Sequence, residues 1–297
     1  ATSSIFEIEF INSLDIKQCP FCGSNDFIKY GHKKDGTQRY ICKECGKRFT
    51  ALTNTIFDSK KIPISEWIEY LLHLFEFHSI NSTAYDNRNS PTTGKYWLIK
   101  TFEVLKGIQD DVVLDGTVYL DETYFTKVKS KLVTKDGKKL RGISRNKIGV
   151  GVACNETKSI FIVTGTSKPS RKSTIETYGK HIARGSVLVH DDEHSHSILI
   201  EELELENIVY PTSETKGLSE KDNPLYPINN LHLLLKQFIR NHGSYDREHL
   251  QDWLNLFWFI MNEPKDKYDK VLKFIELAVL SPKKVRYRDA MSSKHSK

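Results

Sequence analysis

Two Cys-x-x-Cys pairs, Cys19-Pro-Phe-Cys22 and Cys42-Lys-Glu-Cys45, stand about twenty residues apart near the start of the chain. Each pair can present two thiolates from one tight turn, and together they offer the tetrahedral sulfur cage that zinc prefers. Gly23 and Gly46 follow the second cysteine of each pair, where a knuckle needs an unhindered backbone. Between the pairs, Asp26–Tyr30 and Gln38–Cys42 read as two short strands around the turn Lys33-Lys34-Asp35-Gly36. The pattern predicts a zinc ribbon. Four sulfur ligands leave no open position for substrate, so this metal is expected to supply folding energy rather than chemistry. Two disulfides are the alternative. No secretory signal is read before the pairs and the fifth cysteine, Cys154, sits alone in a predicted strand, which favours zinc and a reducing, cytoplasmic location.

A chain of 297 residues has room for more than one domain and a sizeable core. It contains no run of 18 apolar residues, so no membrane span is expected. Its 44 Lys+Arg against 38 Asp+Glu give a net charge of +6, a modest surplus with an uneven distribution. Lys127, Lys129, Lys131, Lys135, Lys138, Lys139, Arg141, Arg145 and Lys147 crowd one segment that holds a single acid, Asp136. Such a segment suits phosphate contacts that are independent of base sequence and sensitive to salt; a solvated hairpin around Asp136-Gly137 is the alternative.

The expected organisation is an N-terminal lead and ribbon over residues 1–50, then a helical DNA-binding or linker segment over 51–111. A catalytic domain over 112–264 follows, with a basic insertion at 126–147, and then a C-terminal helix and basic tail over 265–297. In the second segment Ser65 is taken as an N-cap, and Trp67, Ile68, Leu71, Leu72, Leu74 and Phe75 form a buried helical stripe. After the polar stretch 81–89, Ser90-Pro91-Thr92-Thr93 opens another helix bearing Tyr96, Trp97, Ile99, Phe102 and Leu105. Two helices joined by a polar turn fit a helix-turn-helix, with Thr92, Thr93, Lys95 and Lys100 facing DNA. A helical linker whose aromatic residues are core is the alternative.

From Val112 the texture changes to short apolar runs between helices. Strands are read at Thr117–Tyr124, Asn146–Cys154, Ser159–Thr166, Ser186–His190 and Asn207–Tyr210. Helices are read at Ser173–Ala183 (with a Ser-x-x-Glu start at Ser173 and Glu176), Ser195–Leu205, Asn229–Asn241 and Glu248–Met261. The order β-β-β-α-β-α-β-α is that of an RNase H-like α/β domain, a mixed sheet flanked by helices. In such a sheet the first and fourth strands are neighbours, so Asp121 and Asp191 would emerge at one edge. Two carboxylates that close repel each other unless a cation intervenes, and hard oxygen ligands favour Mg2+ or Mn2+. A third ligand is expected from a later helix, where Asn229 and Lys236 lie two turns apart on one face.

The ribbon cysteines, Asp121-Glu122-Thr123-Tyr124-Phe125, His190-Asp191, and Asn229 with Lys236 together resemble the bacterial insertion-sequence DDE-type transposases of the ISXO type. The resemblance runs from the ribbon to the helix around Trp253–Asn262. It implies a DNA transposase that cleaves element ends and joins the 3′-hydroxyl strand to target DNA with two divalent metals. Double-stranded DNA is the implied partner, with homo-oligomers on paired ends and a nucleoid location. Asp121 and Asp191 would be metal ligands, Asn229 the third member of the triad, and Lys236 a contact to element DNA. Asn229 departs from the usual Glu, because an amide brings no charge and cannot act as a base. His232 is the fallback ligand, Asp192 the fallback for Asp191, and Glu122, on the opposite side of its strand, a supporting acid. His190, His194 and His196 read either as a metal cluster or as polar residues at a helix start. A non-catalytic DNA-binding regulator and a metal-dependent nuclease are the alternative functions.

Overall fold

The computed structural model describes residues 5–58, 62–126, 133–138, 147–166, 168–242 and 247–291. Their contacts divide the chain into two compact units, Ala1–Lys106 with Glu263–Lys297, and Gly107–Asn262.

The first unit opens with helix α1 (Ile5–Ser13), followed by a small antiparallel sheet of β1 (Phe27–His32), β2 (Gln38–Cys42) and β3 (Arg48–Phe49). One face of this sheet is aromatic: Phe27 meets Tyr40 and Phe49 edge-on, and Tyr40 stacks on Phe49 at 5.6 Å. At each knuckle the glycine is left-handed, Gly23 at φ 76° and Gly46 at φ 69°, and its N–H donates to the carbonyl of the first cysteine four residues back.

Helix α2 (Ile64–Phe75) starts one residue before the expected cap, after Pro63, whose extended backbone supplies no side-chain bond. Trp67, Tyr70, Leu71 and Leu74 are buried along it, and Trp67 stacks on Trp97 at 4.2 Å. The polar stretch expected as a turn is itself helical, α3 (Ile80–Asp86), because the Ser79 hydroxyl accepts from Ser82 N–H and nucleates it. Helix α4 (Pro91–Leu105) begins as expected, with Ser90 capping Thr93 N–H and proline in the first turn. Lys100 does not face outward toward DNA as expected. It is buried, donates to the Ile56 carbonyl at 2.8 Å, and lies over the Tyr96 and Trp67 rings.

The second unit holds a five-stranded mixed sheet made of β4 (Thr117–Thr126), β5 (Lys147–Cys154), β6 (Ser159–Gly165), β7 (Val187–His190) and β8 (Glu206–Val209). The order across the sheet is β6-β5-β4-β7-β8, with β4, β7 and β8 parallel and β5 antiparallel to both neighbours. That is the RNase H-like arrangement predicted from element order. β4 runs two residues further than expected, so Asp121 lies mid-strand, paired with Val152 across to β5.

Helix α5 (Arg171–Tyr178) begins earlier than read, through a capping box between Ser170 and Ser173 rather than one led by Ser173. Helix α6 (Ser197–Leu203) follows a short 3-10 turn at His194–His196 that Glu193 caps. On this side Leu114, Val118, Leu120, Ala153, Ile160, Tyr178, Leu188 and Leu199 form a continuous buried core. After the one-turn α7 (Thr212–Thr215), helices α8 (Tyr226–Asn241) and α9 (Leu250–Met261) complete this unit. α8 packs on β4 and β5, and α9 on β6. Trp253 and Phe257 are buried on α9, and Phe257 packs on Phe161 and Phe238, so this aromatic run is core, as its helical spacing suggested. In the first unit α10 (Lys267–Leu280) packs on α2, with Phe274 against Phe75, and α11 (Tyr287–Ala290) on α4.

Candidate active site

Alternation along β4 sorts its acids onto two faces. Val118 and Leu120 enter the core beneath α5 and α6, and Glu122 shares their parity. Asp121 takes the other face, where α8 crosses, and its Oδ2 lies 3.6 Å from His232 Nδ1. β4 and β7 run in parallel register with Leu120 opposite His190, so Asp121 and Asp191 each come one residue later. Burial, then the Asp191 charge, pushes the Asp121 carboxyl up to about 7, although Glu122 N–H donating to Asp121 Oδ1 at 2.7 Å works the other way. Asp191 stays half-buried and accepts from Glu193 N–H, while Asp192 is exposed.

Helix α8 contributes differently at each turn. Asn229 is exposed and lines a surface depression with Glu220, Asn223, Tyr226 and Leu233. His232, one turn on, is the α8 side chain that meets Asp121. Burial and then the Lys236 charge depress the His232 imidazole to about 4, and its Nε2 is buried without a hydrogen-bond partner. Lys236, one further turn on, is exposed. Asp121, Asp191 and His232 are donors of the types that Mg2+ or Mn2+ accepts, imidazole favouring Mn2+. They do not all lie within 4.8 Å of one another: His232 turns Nδ1 to Asp121, and the Asp191 carboxylate groups instead with the His190 and His196 rings.

The opposite face of β4 carries a buried polar chain. The Tyr178 hydroxyl donates to Glu122 Oε1 at 2.7 Å, and His196 Nε2 lies 3.3 Å from both Glu122 oxygens. His196 Nδ1 is 3.0 Å from His190 Nδ1, and His190 Nε2 is 2.9 Å from Asn207 Oδ1. With Asn207 accepting, His190 Nε2 donates and leaves its Nδ1 as an acceptor facing His196 Nδ1, while His196 Nε2 faces Glu122. Burial pushes Glu122 up, but His196 and Tyr178 outweigh it and hold the carboxyl below its ordinary value. Gly151, paired with Glu122 across β5, makes room for this chain, because a Cβ there would collide with the Tyr178 hydroxyl. His190 and His196 thus belong together, with an Asp191 carboxylate oxygen within 4.8 Å of a ring nitrogen of each, whereas His194 is exposed. Strand parity is the one sequence signal that pointed to Glu122, and none pointed to Tyr178 or Asn207.

In the ribbon, Cys19 Sγ lies 3.7 Å from Cys45 Sγ and Cys22 Sγ 3.6 Å from Cys42 Sγ. A tetrahedron with bonds of about 2.3 Å has edges of about 3.8 Å, so this spacing fits zinc. No disulfide joins any of the four. Backbone N–H groups of Cys45 and Glu44 draw the Cys42 thiol down, while at Cys22 the Ser24 backbone pulls the same way but burial and the neighbouring sulfurs outweigh it and push the thiol up.

Of the basic insertion, Lys127, Lys129, Lys131, Lys139 and Arg141 lie outside the described residues. Lys138 is exposed beside the turn at Asp136-Gly137, which a Thr134–Lys138 backbone bond closes. Among the described residues no helix is long and apolar enough to cross a membrane.

No family model matches the sequence. A 49-residue stretch is 35% identical to an uncharacterized protein in transposable element ISH50 of Halobacterium salinarum, and the match spans 16% of each chain. Among solved structures, the Mos1 strand transfer complex is similar at 13% identity over 80% of this chain and 79% of that one, with a TM-score of 0.30. The Mos1 transposase catalytic domain with raltegravir and Mn is similar at 14% identity over 62% and 90%, with a TM-score of 0.28. A simian T-cell lymphotropic virus intasome is similar at 9% identity over 49% and 48%, with a TM-score of 0.31. Likenesses this distant do not define a family for the chain.

Proposed function

We propose that this chain is a DNA transposase that cleaves the ends of its element and transfers the freed 3′-hydroxyl to target DNA. The observation that carries the reading is that Asp121 and Asp191 come level on the adjacent parallel strands β4 and β7 of an RNase H-ordered sheet. Two divalent cations bound there would supply activation of the attacking oxygen and stabilisation of the leaving one. Asp121 and Asp191 are the anionic ligands. The third comes from α8, where Asn229 offers a neutral carbonyl oxygen and His232 a buried ring nitrogen already against Asp121. Lys236 contacts the phosphate backbone of element DNA, and Lys138 with the rest of the basic insertion adds salt-sensitive contacts. The ribbon, holding structural zinc on Cys19, Cys22, Cys42 and Cys45, and the helices around α4 recognise the element end. The protein acts as a homo-oligomer on paired ends, in the cytoplasm at the nucleoid.

The test is strand transfer on the element's own terminal repeats with Mg2+ or Mn2+. Asp121→Asn and Asp191→Asn should each reduce cleavage by roughly three orders of magnitude, as expected when a group holding the metals is lost. Equal activity of these variants and the parent refutes the reading. A parent that binds the repeats yet is inert with every divalent ion is a regulator, and one that cuts without joining is a nuclease.

A further inference from the structure

Helix α2 ends in a Schellman turn built from an unusual residue. Phe77 takes a left-handed φ of 65°, its N–H donates to Leu74 O at 3.2 Å, and His78 N–H donates to His73 O at 3.1 Å. A non-glycine residue in this region costs about 1 kcal/mol or more. The turn folds His78 back over His73, and the two imidazoles stack with centroids 5.1 Å apart at 28°.

Both Nδ1 atoms point the same way. They are shielded from solvent and have no hydrogen-bond partner, although the rings themselves are partly exposed. The last residue of α3, Asp86, brings its Oδ2 between them, 3.6 Å from His73 Nδ1 and 3.8 Å from His78 Nδ1. These separations are too long for hydrogen bonds. They are close to the edge of about 3.3 Å between ligands of a tetrahedral ion with bonds near 2.05 Å. The nearby Glu76 carboxylate is engaged by Lys267 at 2.9 Å, which leaves Asp86 as the anion facing the two rings.

We propose that His73, His78 and Asp86 form a second metal site, separate from the ribbon, for a borderline transition-metal dication of the zinc type. Two neutral imidazoles and one carboxylate match zinc and its first-row neighbours and disfavour Mg2+ and Ca2+, which take all-oxygen shells. The donors come from the ends of α2 and α3, so a bound ion ties those two helices together, with a fourth position left to water.

The experiment is a metal count on untagged, full-length protein equilibrated with zinc, with cobalt substitution as the second readout. With the proposed catalytic cation site removed by Asp121→Asn and Asp191→Asn, the resulting parent should hold two zinc ions per chain, and His78→Ala and Asp86→Asn made in it should each hold one. Cobalt in the ribbon gives a sulfur-to-metal charge-transfer band, which both variants should keep. The second cobalt should add only visible ligand-field absorption, which both variants should lose. Retention of that charge-transfer band shows that the variants are folded around the ribbon. A parent that binds one zinc, or variants that still bind two, would overturn the proposal.

Discussion

Asp121 and Asp191 each lie one residue beyond the rung where Leu120 pairs with His190, so two acids seventy residues apart in sequence come level, Asp121 midway along β4 and Asp191 just past the end of β7. Their mutual repulsion is what lifts Asp121 beyond the effect of burial alone. The consequence is a conflict between stability and function. With its carboxyl raised from 3.8 to about 7, Asp121 favours the folded state below pH 4, and that contribution is lost as pH rises through 7.

Asp121→Asn should therefore stabilise the metal-free protein at pH 8, by on the order of 2 kcal/mol, since the amide keeps the acceptor for Glu122 N–H and removes the charge. Adding Mn2+ should raise the denaturation midpoint of the parent and leave that of the variant unchanged. A parent indifferent to Mn2+ would count against a cation between these carboxylates.

The buried chain on the other face of β4 gives a different signature. Tyr178→Phe removes a hydrogen bond to an ionised, buried Glu122 and should cost about 1–3 kcal/mol in urea unfolding. Gly151→Ala should cost at least as much, because the new methyl displaces the same hydroxyl.

Chelation should act on the ribbon. Removing zinc from the four thiols takes away a binding energy that zinc-finger peptides put at about 10–16 kcal/mol. Hydrogen exchange at residues 18–50 should rise sharply after chelation, while strands β4 to β8 keep their protection.

Lys100 sets an alkaline dependence. Burial depresses its ammonium to about 8, so between pH 8 and 10.5 the unfolded chain binds more protons and stability should rise with pH. The Tyr96 and Trp67 rings and the Ile56 carbonyl favour the charged form and offset part of this, leaving an expected gain on the order of 1–2 kcal/mol. Lys270, also depressed to about 8 by burial, should add to the slope. Comparing urea midpoints at pH 7.5 and 9.5 for the parent and Lys100→Met tests it: the variant should show the shallower rise.

The sequence by itself determined the ribbon, the β-β-β-α-β-α-β-α order and the strands carrying Asp121 and Asp191. Those features are written locally, in cysteine spacing, turn residues and alternation. Helix starts were legible only where a side-chain cap announced them, as at Ser90 but not at Ile64, where Pro63 precedes the first turn without one. Tertiary structure alone decided that Lys100 turns inward, that His232 meets Asp121, and that Tyr178, Glu122, His196, His190 and Asn207 join in one buried chain. Each of these depends on which helix crosses which strand and at what height. Such a crossing joins residues dozens of positions apart, and no periodicity within either segment records it.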